Sequence, residues 1–321
     1  MSRFILKRLI LLIPLVIGIT LISFGVMQLA PGNYLTALKG NPQIRPETIQ
    51  RLEEQFGLNQ HWIIQYGKWL GNAVQGNFGY SFTYKVPAFE LISSRLYYTF
   101  LLSFWSTVFS WVVAIPLGIY VATHRNTLSD RIANFCAFAG ISLPGFFVAL
   151  LVLLLARDTG WFPIGGATSD DYDQFSWFGK VKDTAWHLFL PVLVLGTRGV
   201  AGLMRQMRGN LLDVLGENYI LAAHARGLAE RKVILKHGVR NAINPLITIF
   251  GAELSGLLAG SALVERVMQW PGLGRLMLDA VQSQDLYVAM ASFVMGSTLL
   301  ILGNLIADLL LAITDPRIKY S

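Results

Sequence analysis

The chain has 321 residues, of which 54% are hydrophobic and 14% charged, with a formal net charge of +7. Soluble domains carry about 25% charged residues, so this chain lacks the polar surface to cover itself in water, and its mean hydropathy of +0.51 points to a multispan membrane protein. The single cysteine, Cys136, excludes a disulfide framework and a cysteine metal cluster, and its apolar surroundings in the sequence suggest packing.

Arg3, Lys7 and Arg8 precede an apolar run over 9–29. At about 1.5 Å per residue this run covers roughly 31 Å, enough for a bilayer core and too long for the apolar region of a signal peptide. It is expected to be a retained first span. Five further spans are expected at 97–123, 132–156, 188–204, 242–263 and 288–313, all helical because lipid offers the backbone no hydrogen bonds. Pro116, Pro144 and Pro191 are expected as kinks inside these spans, and Gly251, Gly256 and Gly260 as close-packing positions in the fifth.

Orientation follows from Lys and Arg. The N-terminus, 124–131, 205–241 and the C-terminus carry 14 basic and five acidic residues, against 11 and 12 in 31–96, 157–187 and 264–287. The balance of +9 against −1 puts the first set, and both termini, in the cytoplasm. Trp161, Trp186 and Trp270 fall near the proposed outer ends, where indoles favour the interface.

Among the extramembrane segments, 31–96 is the longest. Residues 46–56 within it read as a surface helix, with Pro46 in the first turn and Ile49, Leu52 and Phe56 on one face; 71–81 reads as a packed, glycine-rich loop. The acidic loop 157–187 lacks calcium-loop spacing at Asp170, Asp171 and Asp173 and reads as solvated.

Catalytic signatures are missing. No G-x-x-x-x-G-K-[ST] phosphate cradle and no G-x-S-x-G elbow occurs, and His61, His124, His187, His224 and His237 share no ligand spacing. Two charges fall mid-span. Arg198 and Glu253 lie at similar depth, and a charge there costs on the order of 3 kcal/mol unless it meets a partner or water. They are expected to face the bundle interior, either as a structural ion pair or lining a polar path. Asp308, near the inner end of the sixth span, is expected to reach headgroups.

The segment 217–245 is polar, basic and bounded by apolar spans. Ile220, Ala223 and Gly227 share a helical face, and Gly227 permits a sharp turn. Two readings stand equal on the residues alone: a helix that docks on a cytoplasmic partner, or an amphipathic helix drawn to headgroups by Arg231, Lys232 and Lys236.

The same segment resembles the loop that permease subunits of ABC importers insert into their ATPase subunits. Of the family's E-A-A-x-x-x-G pattern, Ala222, Ala223 and Gly227 match, while Leu221 stands in place of the acidic residue. The similarity extends along the chain through Ala30-Pro31-Gly32, Gly76-Asn77-Phe78-Gly79-Tyr80-Ser81, Ile115-Pro116-Leu117-Gly118, Ser142-Leu143-Pro144, Leu190-Pro191-Val192, Gly260-Ser261-Ala262-Leu263-Val264-Glu265, Pro271-Gly272-Leu273-Gly274 and Asp315-Pro316-Arg317. These motifs are similar to the first of the two permeases in dipeptide, oligopeptide and nickel importers.

The resemblance implies an all-α, polytopic type I ABC importer permease fold with six transmembrane helices in the bacterial inner membrane. It divides the chain into a first transmembrane helix at 1–30, an extracytoplasmic region at 31–96 and a permease core at 97–321 with a coupling helix at about 217–230. Tyr219, Ala222, Ala223, Arg226, Gly227 and Leu228 would couple to the ATPase, and Arg198 and Glu253 would line the path. Partners would be a second permease in a heterodimer, two ATPase subunits carrying ATP and Mg, a solute-binding protein and membrane lipid, with no nucleic acid. The chain itself would hold no cofactor, no metal and no enzymatic activity. Gln174-Phe175-Ser176-Trp177 and Trp186-His187-Leu188 resemble the peptide branch, and the sparse metal-ligating residues within the spans tilt the cargo from nickel to peptides. The rival classes are an ion-coupled secondary carrier using Arg198 and Glu253, which no clear internal repeat supports, and an intramembrane enzyme, for which no dyad is found.

Overall fold

A computed structural model describes residues 2–29, 35, 39, 45–57, 59–247, 249–250 and 262–314. Apart from one bridge between Tyr80 and Pro87, the described residues form helices and turns and no strand. Most of the fifth expected span, with Gly251, Glu253, Gly256 and Gly260, lies outside them, as does the side chain of Asp308.

Helix α1 spans Ser2–Leu29 and contains Pro14. In the segment that follows, α2 (Pro46–Phe56) forms as expected, with Pro46 in its first turn and Gly57 in the left-handed conformation at its end. Of its expected apolar face only Ile49, which is buried, lies within the described side chains. Helix α3 (Trp62–Val74) was not expected and takes in the start of the glycine-rich stretch. His61 caps it, its Nδ1 accepting from the Ile63 N–H. Tyr66 and Trp69 of α3 bury against Phe24 of α1, and the Thr20 hydroxyl hydrogen-bonds the Tyr66 hydroxyl at 3.0 Å.

The next helices outgrow their expected spans. α4 (Ala88–Thr123) starts nine residues early, and α7 (Trp177–Leu215) runs for 39 residues. At 1.5 Å per residue α7 is about 58 Å long, nearly twice the hydrocarbon thickness. Ser176 sets its start by accepting from the Gly179 N–H, so the acidic loop is shorter than expected. The loop is also less free. Asp183, inside α7, takes hydrogen bonds from both the N–H and hydroxyl of Ser169.

The third expected span is not a kinked helix. It is two helices, α5 (Leu128–Ser142) and α6 (Gly145–Thr159), bent by 104° at the break. Pro144 forces Leu143 into extended backbone, with ψ 131°. Each 15-residue arm is about 22 Å long, short of a bilayer core on its own. Among the described residues, α4, α7 and α12 (Leu286–Thr314) contain spans long and apolar enough to cross a membrane, and the α5–α6 pair makes a fourth if taken together. Ile13–Leu29 is a shorter apolar stretch.

The centre of the molecule is the pairing of α4 with α7. A methyl group at Gly196 would collide with Phe109, and one at Gly199 with the Ser110 hydroxyl; at Gly118 it would come within 2.9 Å of the Met204 carbonyl. Small residues thus let the two backbones approach. Ser110 uses the approach, donating to the Gly196 carbonyl at 3.0 Å. After α7 come α8 (Asn218–Ala225) and α9, a helical stretch built from Glu230–Lys232, a π-helical part Val233–Val239, and Arg240–Ala242. Short helices α10 (Ala262–Val267) and α11 (Leu273–Gln282) lead into α12, which packs on α1.

Two further expectations change. Trp161 and Trp186 are exposed, as an interface requires, but Trp270 is fully buried beside Leu102 and Leu188 and donates its indole N–H to the Tyr98 carbonyl. Cys136 is exposed on α5 rather than packed, because the buried face of that helix is carried by Asp130 and Ala137.

Candidate functional site

The polar segment at the end of α7 folds as a helical hairpin. Gly216 and Glu217 turn the chain; Glu217 is extended, so α8 starts at Asn218. Ile220 and Ala223 then bury on Val233 of α9, with Leu215 and Leu228 half-buried around them. The Gly227 N–H donates to the His224 carbonyl at 2.8 Å, and Leu228 N–H to the Ala223 carbonyl at 3.4 Å, while Gly227 takes φ +72°. A glycine in the left-handed region one residue past the helix end closes α8. The Tyr219 hydroxyl accepts from the Asn241 amide at 3.0 Å, which ties α8 to α9; within α9 that amide also donates to the His237 carbonyl.

This geometry decides what the shared face meets. The Ile220–Ala223 face faces the chain's own α9, leaving no room for an incoming surface there. The exposed face carries Leu221, Ala222, His224, Ala225 and Arg226 instead. Leu221, an apolar side chain in the middle of α8, is 62% exposed. Arg226, Arg231, Lys232, Lys236 and Arg240 ring the hairpin and make no ion pair among the described residues.

Behind the hairpin sits a buried carboxylate. Asp130, 4% exposed, accepts from Arg208 Nε at 2.9 Å and Nη2 at 3.0 Å, from the Asn126 N–H at 2.9 Å and from Asn134 Nδ2 at 2.6 Å. The Arg208 guanidinium, helped by Asn126 and Asn134, outweighs burial and holds the Asp130 carboxyl below the usual carboxylate range. The pair staples the start of α5 to α7 seven residues before α7 ends. Nearby, Asn210 donates to the Ala242 carbonyl, fixing α7 to α9. The Thr127-Leu128-Ser129-Asp130 capping pattern is the sequence signal that marks this helix start.

A second buried carboxylate lies at the far end of α4. Glu265, fully buried, accepts from the Thr99 hydroxyl at 3.1 Å and the Arg275 N–H at 2.9 Å, at the first turn of α11. Thr99 in turn accepts from the Leu273 N–H at 2.7 Å. Burial pushes the Glu265 carboxyl up, opposed by the Arg275 N–H and Thr99. Gly272 passes so close that a methyl group there would collide with the carboxylate. A third, Asp285, takes the Ser81 hydroxyl at 2.6 Å and the Thr83 N–H at 3.0 Å, clipping the loop after α3 to the start of α12. An Asp just ahead of an apolar helical run is a start signal in the sequence.

Arg198 lies on α7 on the face turned from α4: it is two residues, about 200° of helix, beyond Gly196, which packs on α4. Its side chain is exposed and pairs with no carboxylate among the described residues. Its expected partner, Glu253, lies outside them. No group of three side chains able to hold a metal ion occurs among the described residues.

Long apolar helices, one of them ending in an exposed helical hairpin, define a multi-pass membrane protein. The chain belongs to the family of binding-protein-dependent transport system inner membrane components: residues 114–320 match that family's model, and residues 1–103 match the model of its N-terminal region. It is 42% identical, over the full length of both chains, to the oligopeptide transport system permease protein AppB of Bacillus subtilis (strain 168). It is 34% identical to the dipeptide transport system permease protein DppB of Escherichia coli (strain K12), covering 100% of this chain and 99% of that one. It is 35% identical, over the full length of both, to the glutathione transport system permease protein GsiC of the same strain.

Proposed function

We propose that this chain is one permease subunit of an ABC importer that takes up short peptides, with ATP hydrolysed on partner subunits. The observation that carries this is similarity over the whole chain to relatives named for oligopeptide, dipeptide and glutathione transport. The partners are then a second, related permease, two ATPase subunits and an extracytoplasmic solute-binding protein. The chain is not itself an enzyme and holds no cofactor. Both termini face the cytoplasm, in keeping with the excess of Lys and Arg on that side.

The domain division is 1–30, 31–96 and 97–321, with the coupling element at about 217–230. Tyr219, Ala222, Ala223, Arg226, Gly227 and Leu228 serve it in different ways. Ala222 and Arg226 lie on the exposed face and touch the ATPase. Ala223 and Leu228 seat α8 on α9, Tyr219 ties it down, and Gly227 shapes its end. Arg198 and Glu253 line the translocation path, a reading supported by the position of Arg198 on the free face of α7. ATP closes the two ATPase subunits, which draws the hairpins together, and differential affinity of ATP for the closed state biases the permease pair towards the outward-open form.

The test is co-expression with the neighbouring importer subunits, co-purification, and ATP-dependent uptake of a labelled tripeptide into proteoliposomes. Co-purified ATPase subunits and peptide uptake that needs ATP are expected. Purification alone, or uptake that follows the membrane potential without ATP, would mark a secondary carrier; uptake of nickel in place of peptide would move the cargo assignment.

A further inference from the structure

Helix α3 buries Tyr66 and Trp69 against α1 and carries a polar stripe beside that face. Its polar residues Gln65, Lys68 and Asn72 fall on one stripe by i, i+3, i+7 spacing, and all three line a cavity of about 490 Å³. Its isoleucines Ile63 and Ile64 are more than half exposed. A surface helix normally turns its apolar face inward. Here Tyr66 and Trp69 turn inward as that rule requires, and the polar stripe beside them borders a cavity flanked by α1, the end of α2, the loop 77–87 and the start of α12.

The lining has unspent hydrogen-bonding capacity. Gln60 Oε1 is buried with no hydrogen-bond partner among the described residues, an arrangement that folded proteins rarely leave unexplained. Lys68 and Glu54, one cation and one anion on the same cavity, form no ion pair among the described residues, and the Asn72 amide makes no hydrogen bond there. Trp69, Tyr80 and Tyr287 supply aromatic walls. We infer that this cavity is a binding subsite for a short peptide with free termini, at the ends of α1 and α12 and separate from the coupling hairpin. The inference rests on the peptide-import reading and adds to it a place where this chain itself recognises cargo.

The chemistry matches that ligand class on each count. A peptide unit offers one donor and one acceptor, which side-chain amides answer with either end. Free termini place an ammonium and a carboxylate a few residues apart, answered by Glu54 and Lys68. Aromatic walls bury side chains of many shapes without selecting one. A metal ion finds no comparable set, since among the described residues Glu54 is the only carboxylate lining the cavity and no His or Cys joins it. The start of α12 contributes Leu286 and Tyr287, so an occupant would touch the helix that Asp285 clips to the outer loop.

The test uses the assembled transporter in lipid nanodiscs with the binding protein left out. The probe is a tripeptide with free termini and a central photoreactive benzoylphenylalanine, and adducts are mapped by mass spectrometry. Labelling of Trp69, Tyr80 or Tyr287 is expected, suppressed by excess trialanine. Blocking both termini of the probe, or substituting Lys68→Met or Gln60→Leu, is expected to weaken labelling about tenfold, the loss of one charge-assisted or buried hydrogen bond. Lys68 is exposed, so its variant assembles, with ATP hydrolysis as the check. Equal labelling by the blocked probe, or no adduct in the cavity, overturns the subsite. So does a cavity adduct that appears only when the binding protein is present and lies on that protein's own segment. Uptake of labelled trialanine by the same complex with its binding protein is measured in parallel: uptake without cavity labelling removes the subsite alone, whereas absence of peptide uptake removes the import reading with it.

Discussion

Gly227 offers the sharpest perturbation of the coupling hairpin. It takes φ +72°, and nothing lies within 4 Å of the position a Cβ would occupy. A side chain there meets no neighbour, so its cost is the backbone's own, about 1–2 kcal/mol for an L-residue held in the left-handed region. Asparagine tolerates that region and valine does not. On the proposed coupling role, the variant turn would relax in the free permease and the ATPase groove would have to restore it, so the strain would be subtracted from association. A loss of 1–2 kcal/mol is a factor of roughly 5–30 in an equilibrium constant. In proteoliposomes, the concentration of added ATPase subunits giving half-maximal peptide uptake should rise about 5–30-fold for Gly227→Val and less than about threefold for Gly227→Asn. Wild-type behaviour of the valine variant would refute the reasoning. So would asparagine as damaging as valine, because that pattern reports a steric contact rather than a backbone turn.

Four further outcomes follow from the buried carboxylates. Asp130→Ala leaves Arg208 without its partner and should cost on the order of 3 kcal/mol, read as a lower unfolding temperature in detergent. Because the folded Asp130 value is lowered, its contribution is complete above the ordinary carboxylate range and is lost only as pH falls through the lowered value, so the wild-type–variant gap should stay flat from about pH 5 to 8. Glu265 has the opposite sign: its folded value is raised, so its contribution is complete below the ordinary value and declines as pH rises through the folded one. Glu265→Gln should remove that pH-dependent decline, while Glu265→Ala, which also strands Thr99 and the Arg275 N–H, should cost about 3 kcal/mol below the ordinary carboxylate range and less as pH rises through the folded value. Gly272→Ala forces a methyl group onto the Glu265 carboxylate and should destabilise by about 1–3 kcal/mol, measured by the same thermal scan. Asp285→Ala should release the loop 78–87, seen as faster limited proteolysis within it and little change elsewhere; unchanged cleavage would mean that Phe82 and Tyr287, whose rings lie 5.1 Å apart, hold the loop alone.

Hydropathy found the apolar helices because lipid-facing length is written in consecutive residues, but it could not find their ends. α7 continues through Lys180, Lys182 and Asp183 on one side and Arg205 and Arg208 on the other. A hydropathy window stops at charges; a helix that projects from the membrane does not. Pro144 was visible as a perturbation, yet a kink and a 104° break share the same residue. The outcome depends on what packs against each arm, here α7 against both α5 and α6. In the hairpin, the spacing of Ile220, Ala223 and Gly227 correctly marked one face, but not which surface it would meet. The answer lay in Val233, beyond the turn. Asp130, Glu265 and Asp285 were counted as extramembrane charges, whereas their partners lie 78, 166 and 204 residues away along the chain. No local pattern carries such pairings, although capping signals marked two of the three as helix starts.

Two of these carboxylates, Asp130 and Glu265, also bear on how a short hairpin would act on a long molecule. Motion transmitted through helices is lost wherever one helix can slide on its neighbour. The α4–α7 pair is held in its middle by Ser110 on the Gly196 carbonyl and, towards the hairpin, by Gly118 against Met204 and Met207. At the hairpin end, Asp130 locks α5 to α7 through Arg208, and Asn210 locks α9 to α7. At the other end, Thr99 of α4 holds Glu265 and the start of α11, and Trp270 seals the contact through the Tyr98 carbonyl. Each lock pairs buried polar groups whose separation would leave an unsatisfied partner, costing about 1–3 kcal/mol per group, so sliding is opposed at both ends and in the centre. A push on α8 therefore moves α7, α4 and the α10–α11 cap as one body instead of bending α7 where it leaves the membrane. Packed elements that resist continuous deformation convert small displacements into rotations. Weakening the far lock with Thr99→Val should then lower peptide uptake per ATP hydrolysed although Thr99 touches no part of the hairpin. If that variant couples normally while its Glu265 cap is demonstrably loosened, the helix pair is not the lever.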